Sequence, residues 1–213
     1  MHQQPWLATY RENSIPETIN AYAGQSVVHL LDDAMQRYAD KPAFRSFGQT
    51  LTYAEVDRLS GAFCAWLQHT LGVKKGDRIA VMLPNLIAFP IACIGILRAG
   101  AVQVNVNPLY TPRELEHQLK DSGSETIIIF NGSTPTLAEV AAKAGIKTVI
   151  TVSPGDGTGA ALPAPPVDPR LTGSIAFADA LRDGAGLTRT PVDLSGDDLI
   201  FLQYTGGTTG LSK

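Results

Sequence analysis

Cysteine is nearly missing. The 213 residues hold only 2, and Cys64 and Cys93 lie in apolar helical patterns with neither CxxC nor Cys/His spacing, which argues against a disulfide framework or a metal site. Both read as core thiols of a protein from a reducing cytoplasm. Positive charge is also short: 17 Lys and Arg face 20 Asp and Glu for a net charge of −3. The basic residues are scattered rather than striped, which excludes nucleic acid as a partner. No apolar run is clean enough to cross a membrane. Residues 86–106 come nearest, but Pro90, Arg98, Gly100, Gln103 and Asn105 interrupt them, and a buried helix followed by a strand fits better. The first 19 residues lack the charged and apolar regions of a secretory signal and carry Pro5, Glu12 and Glu17, so export is not indicated. The histidines, His2, His29, His69 and His117, are dispersed without metal-ligand spacing, and no metal ligands are predicted. Low-complexity tracts are missing too, and 44% hydrophobic against 17% charged residues is a globular composition.

Regular periodicity fills most of the chain. Residues 26–39 place Val27, Leu30, Leu31, Ala34, Met35 and Tyr38 at helical spacing behind Ser26, an N-cap residue. Residues 42–51 read as a small hairpin turning at Gly48-Gln49. Thr52 and Glu55 form a capping box for a helix carrying Val56, Leu59, Phe63, Trp66 and Leu67, with Gly72 ending it. Residues 78–83 are a strand apolar on both faces, as a covered parallel strand should be. Asn85 is the expected cap of an all-round apolar helix over 86–98, with Pro90 causing only a local kink. A strand over 101–106 and a helix over 111–122 follow, the helix opened by Pro112 and a Thr111/Glu114 capping box. Then come a strand over 125–130, a helix over 135–144 and a strand over 146–152.

This βαβαβαβ order predicts a doubly wound α/β fold, a parallel sheet with helices on both faces, because parallel connections need crossovers and these cover the sheet. Residues 1–152 read as an N-terminal α/β subdomain. Residues 153–173, rich in Pro, Gly and Ala, read as a mobile connector. Residues 174–213 read as the start of a second α/β subdomain, with a short helix over 175–182 and a strand over 198–204 that runs into a glycine-rich loop. The acid pairs Asp32-Asp33 and Asp197-Asp198 read as solvated faces or caps, and Arg113, Glu114 and Glu116 as surface charge.

That loop carries the chemistry. In residues 205–210, half the positions are glycine and half threonine, which has little packing value but suits an anion. Glycine lets backbone N–H groups turn inward as a nest; the hydroxyls of Thr205, Thr208 and Thr209 add donors, and Lys213 adds charge. A Walker A loop needs glycine at the sixth position, yet counting from Gly207 that position is Ser212. No GxGxxG can be written through the segment either.

Tyr204, Thr205, Gly206, Gly207, Thr208, Thr209, Gly210 and Lys213 resemble the phosphate loop of the acyl-adenylate-forming ligases, approximately [YF]-T-S-G-T-T-G-x-P-K. Gly206 replaces the serine and Ser212 the proline, departures found in the bacterial long-chain fatty acid:CoA ligase branch. Residues 51–68, 76–85 and 95–123 resemble further segments of the same family, and the NPLYTPRE string at 107–114 points to its fatty acyl-CoA members. The resemblance implies the N-terminal portion of that ligase fold, ATP with Mg²⁺ and CoA as co-substrates, a fatty acid as acyl donor, and a cytoplasmic location compatible with peripheral contact at the inner membrane and with a homodimer. It also implies that the adenine, ribose and CoA sites and the catalytic lysine come later, so no catalytic residue is assigned within these residues and no ligase activity is expected from them alone. The stop at Lys213, inside the signature, is expected to be a truncation. Ligases for medium-chain or aryl acids, and a non-catalytic nucleotide-binding or assembly module, remain as alternatives.

Overall fold

A computed structural model describes residues 4–18 and 25–205. The chain opens with α1 (Trp6–Glu12), a helix without buried residues that periodicity did not suggest. Helix α2 (Val27–Arg37) starts where Ser26 accepts from the His29 amide. Strands β1 (Pro42–Ser46) and β2 (Gln49–Thr52) form the antiparallel hairpin. Its turn is Phe47-Gly48, one residue earlier than expected, and both residues have positive φ (48° and 73°). Such a two-residue turn matches the strand twist, although the left-handed region is uncommon for a bulky residue; Phe47 is 68% exposed.

Helix α3 (Tyr53–His69) carries the Thr52/Glu55 capping box. Strand β3 (Arg78–Met82) follows, then α4 (Ala88–Arg98). This helix starts later than expected and Asn85 does not cap it. Residues 84–86 instead form a tight turn in which the Leu86 amide donates to the Pro84 carbonyl, and the Asn85 carbonyl accepts from Ser46 Oγ at 3.1 Å. Pro90 thus falls in the first turn, where its missing N–H breaks no helical bond. Strand β4 (Val102–Asn105) leads to α5 (Pro112–Ser122), which has the Thr111/Glu114 capping box at its start and Gly123 at φ 65° just after its end.

After β5 (Thr126–Phe130), the helix expected over 135–144 is split into α6 (Thr134–Ala138) and α7 (Ala141–Ala144), preceded by a 3₁₀ turn at Asn131–Ser133. Leu137 and Val140 both enter the core, and the Val140 amide bonds the Leu137 carbonyl, an i→i+3 tightening at the break. The chain ends in β6 (Thr148–Val152), β7 (Ile175–Ala176), α8 (Phe177–Gly184) and β8 (Phe201–Gln203).

Six strands form one sheet in the order β7-β6-β5-β3-β4-β8, and every neighbouring pair is parallel. Strand alternation separates two cores. Ile79, Val81, Ile128, Ile150 and Val152 face one side with residues of α3, α4 and α8. Ala80, Met82, Val104, Ile127 and Ile129 face the other with residues of α5, α6 and α7. This is the doubly wound arrangement the alternation predicts.

The expected division at residue 174 requires correction among the described residues. β7 pairs with β6, β8 pairs with β4, and Phe177 is fully buried in the same core as Phe63, so residues 174–205 complete the first sheet. A short parallel sheet leaves buried edges wanting partners, and these two strands supply them. Residues 153–173 are tied to that body: the Asp168 amide donates to Thr134 Oγ1 at 3.0 Å, Asn131 Nδ2 to Ser153 Oγ at 2.9 Å, and Thr158 to Gln49.

Arg98 closes α4 at 2% exposure. Its guanidinium donates to Asp32 on α2, to the Asp57 carboxylate and carbonyl on α3, and to Ser60 Oγ at 2.8 Å. The charge is buried only because these acceptors meet it. Asp32, read from the sequence as part of a solvated pair, is one of them.

Candidate functional site

All six strands run the same way, so their carboxyl ends share one edge. The winding reverses at β3: the chain passes to β4 on one side and then to β5 on the other. Ligands of open α/β sheets bind outside the carboxyl ends beside such a reversal. Strand β8 lies against β4 there, its last pair being Asn105 with Gln203. Tyr204 and Thr205 lead on from that edge. The remaining predicted site residues, Gly206, Gly207, Thr208, Thr209, Gly210 and Lys213, lie outside the described residues.

The strand end is held on both faces. On the α4 face, Gln103 Nε2 donates to Asn105 Oδ1 at 2.6 Å and Asn105 Nδ2 to Gln203 Oε1 at 2.7 Å, a polar ladder across β4 and β8. On the α5 face, the Tyr204 ring packs on the core beside Leu202, and its hydroxyl donates to Asp121 Oδ2 at 2.5 Å. Burial, then the hydrogen bond from the phenol to the Asp121 carboxylate, pushes the Tyr204 pKa up to about 12. At neutral pH it is a donor. Gln118 Nε2, also on α5, donates to the Asn105 carbonyl at 2.7 Å, so α5 grips the end of β4 as well.

Sequence reasoning reached Tyr204 and Thr205 but missed Asp121 and the ladder. Gln103 and Asn105 register in the sequence only as interruptions of an apolar run. A signal for Asp121 did exist: it is an acid in the last turn of a helix, where the macrodipole favours cations.

A separate apolar cleft of about 470 Å³ lies on the α4 side of the sheet, lined by residues of α2, the hairpin and α4 and by Phe201. Its one thiol, Cys93, is pushed up to about 11 by burial and is no nucleophile near neutral pH. Among the described residues no group of three or more His, Cys, Asp or Glu side chains could hold a metal ion, and no helix is long and apolar enough to cross a membrane.

The sequence profile of a family described as AMP-binding enzyme matches residues 31–213. The long-chain-fatty-acid–CoA ligase of Salmonella typhimurium is 44% identical over 98% of this chain and 39% of its own length. The enzyme of the same name from Escherichia coli O6:H1 is 43% identical with the same coverage. The chain thus spans about two fifths of these relatives. Among solved structures, apo MbtA of Mycobacterium smegmatis superposes with a TM-score of 0.74 at 26% identity, covering 97% of this chain and 35% of that one.

Proposed function

Because the chain belongs to the AMP-binding enzyme family, we propose that it is the phosphate-binding N-terminal part of an ATP-dependent long-chain fatty acid:CoA ligase. The observation that carries this reading is the glycine-threonine string at 205–210, led from the carboxyl edge of β8 within a chain 44% identical to a long-chain-fatty-acid–CoA ligase. ATP, taken up as its magnesium complex, supplies an electrophilic α-phosphorus and a pyrophosphate leaving group; the fatty carboxylate is adenylated, and its acyl group then passes to the CoA thiol as the bond to AMP breaks and AMP leaves.

The contribution of this chain is electrostatic. Negative charge grows on the departing phosphates, and donors already aimed at them lower the barrier more than they tighten ground-state binding. Thr205, Thr208 and Thr209 offer hydroxyls, Gly206, Gly207 and Gly210 offer close backbone approach, and Lys213 offers charge. The donor set fits a polyphosphate, which needs many weak donors more than one strong partner. Tyr204 sits at the threshold, tied to the body. We place the enzyme in the cytoplasm, with any bilayer contact peripheral.

The test is ATP–pyrophosphate exchange with fatty acids of graded length in the full-length protein. Thr209→Ala should lower the adenylation rate by about 10- to 100-fold, on the order of 1–3 kcal/mol for one donor to a charged group. An unchanged rate would remove Thr209 from this role, and exchange with aryl or medium-chain acids only would reassign the substrate.

A further inference from the structure

The polar contacts of α5 with the end of the sheet include one that its helix would be better without. Asp121 lies in the last turn of α5, where the helix dipole disfavours an acid. Its carboxylate accepts from a tyrosine 83 residues away in sequence. We propose that Asp121 is a positioning residue for the phosphate loop: by holding the Tyr204 hydroxyl it fixes the direction in which the chain leaves β8.

Three observations carry this. First, β8 is an edge strand of three residues, and its last pair with β4 is at Gln203, so beyond that point side chains take over from the ladder. The Gln203 contact holds one face and the Tyr204 contact the other. Second, α5 is itself immobilised at both ends. The capping box at Thr111 secures its start, and Arg78 Nη1 donates to the Ser122 carbonyl at 2.6 Å beside Asp121. Third, the Tyr204 ring is packed on the α5-side core, which brings its hydroxyl to Asp121, and its raised pKa keeps the proton in place at neutral pH. A carboxylate that opposes its own helix, carried on a helix fixed at both ends and paired with the residue preceding Thr205, sets the point from which the chain enters the glycine-threonine string. Hydrogen bonds to charged partners are strong enough for the purpose, and misplacement of donors by about 1 Å is costly in catalysis.

The inference rests on the ligase reading, and the experiment separates the two. The full-length wild type, Asp121→Asn, Asp121→Glu, Tyr204→Phe and the double variant Asp121→Asn/Tyr204→Phe are compared for the KM of ATP, the KM of fatty acid, ATP affinity by calorimetry, and the NMR shift of ζ-carbon-labelled Tyr204. The expected result is a rise of about 10-fold in both KM and Kd for ATP in Asp121→Asn, equivalent to about 1.4 kcal/mol. The fatty acid KM should be unchanged, Asp121→Glu should recover part of the loss, and the double variant should be no worse than either single one. An unchanged ATP Kd, or ATP and fatty acid constants worsening together as thermal stability falls, overturns the positioning role. A wild type without adenylation overturns the ligase reading alone. In that event the Tyr204 resonance still decides whether the phenol is held by Asp121: a shift on Asp121→Asn supports the contact, and no shift refutes it.

Discussion

Buried charge and a shifted phenol show how much single residues here owe to distant partners. Arg98 interrupts an apolar run in the sequence, and periodicity gives no hint of what it meets. In the fold it joins α2, α3 and α4 through Asp32, Asp57 and Ser60, a role that depends on groups brought together only by packing. Tyr204 is similar, because its partner Asp121 is 83 residues away. Its pKa, raised from 10.0 to about 12, has a definite pH consequence. The protonated phenol contributes its stabilisation fully below about pH 10, the ordinary tyrosine value, and loses it as pH rises through about 12. A spectrophotometric titration of the 6 tyrosines, read as the difference between wild type and Tyr204→Phe, should show one phenol ionising near pH 12. A difference midpoint near 10 would mean that Asp121 does not hold it.

At the scale of elements, local signals were read well where the deciding atoms are close in sequence. Both capping boxes and the Ser26 cap involve residues within a few positions of each other. Three boundaries shifted for reasons outside the local sequence: the Phe47-Gly48 turn, the late start of α4 against the hairpin, and the break at Val140, whose side chain the core claims. Close packing of helices was equally hidden. Gly184 ends α8 where a Cβ would lie 2.1 Å from the Ala62 carbonyl oxygen and 3.0 Å from Trp66 Cβ on α3. Gly184→Ala should therefore destabilise by about 1–3 kcal/mol through overpacking, outweighing the roughly 1 kcal/mol that alanine ordinarily gains over glycine in a helix. Gly61, whose Cβ would meet nothing nearer than Arg98 Nη1 at 3.8 Å, is the control, and Gly61→Ala should be neutral or stabilising. Urea midpoints of the two variants decide it; equal midpoints would show that α8 and α3 have room to part.

For the molecule as a whole, the outer strands matter most. Strand β8 pairs Gln203 with Asn105 and covers β4, whose Gln103 and Val104 are fully buried. A chain ending at residue 197 would turn β4 into an open edge, and open parallel edges recruit other chains. Light scattering should find this shortened chain associating at concentrations where residues 1–213 do not, and a monomeric shortened chain would argue that β8 is dispensable cover. The connector at 153–173 illustrates the same point from the other side. Its Pro and Gly content suggested a break between two units, yet the chain returns from it to extend the first sheet by β7 and, further on, by β8. By itself, the sequence determined the α/β class, the capped helices and the covered strands, because periodicity, caps and turn chemistry act over a few residues. Only the tertiary structure decided the strand order, the single sheet spanning both sides of the connector, the Arg98 network and the Asp121–Tyr204 contact. Those depend on which surfaces meet after the crossovers are packed, and no local spacing encodes that meeting.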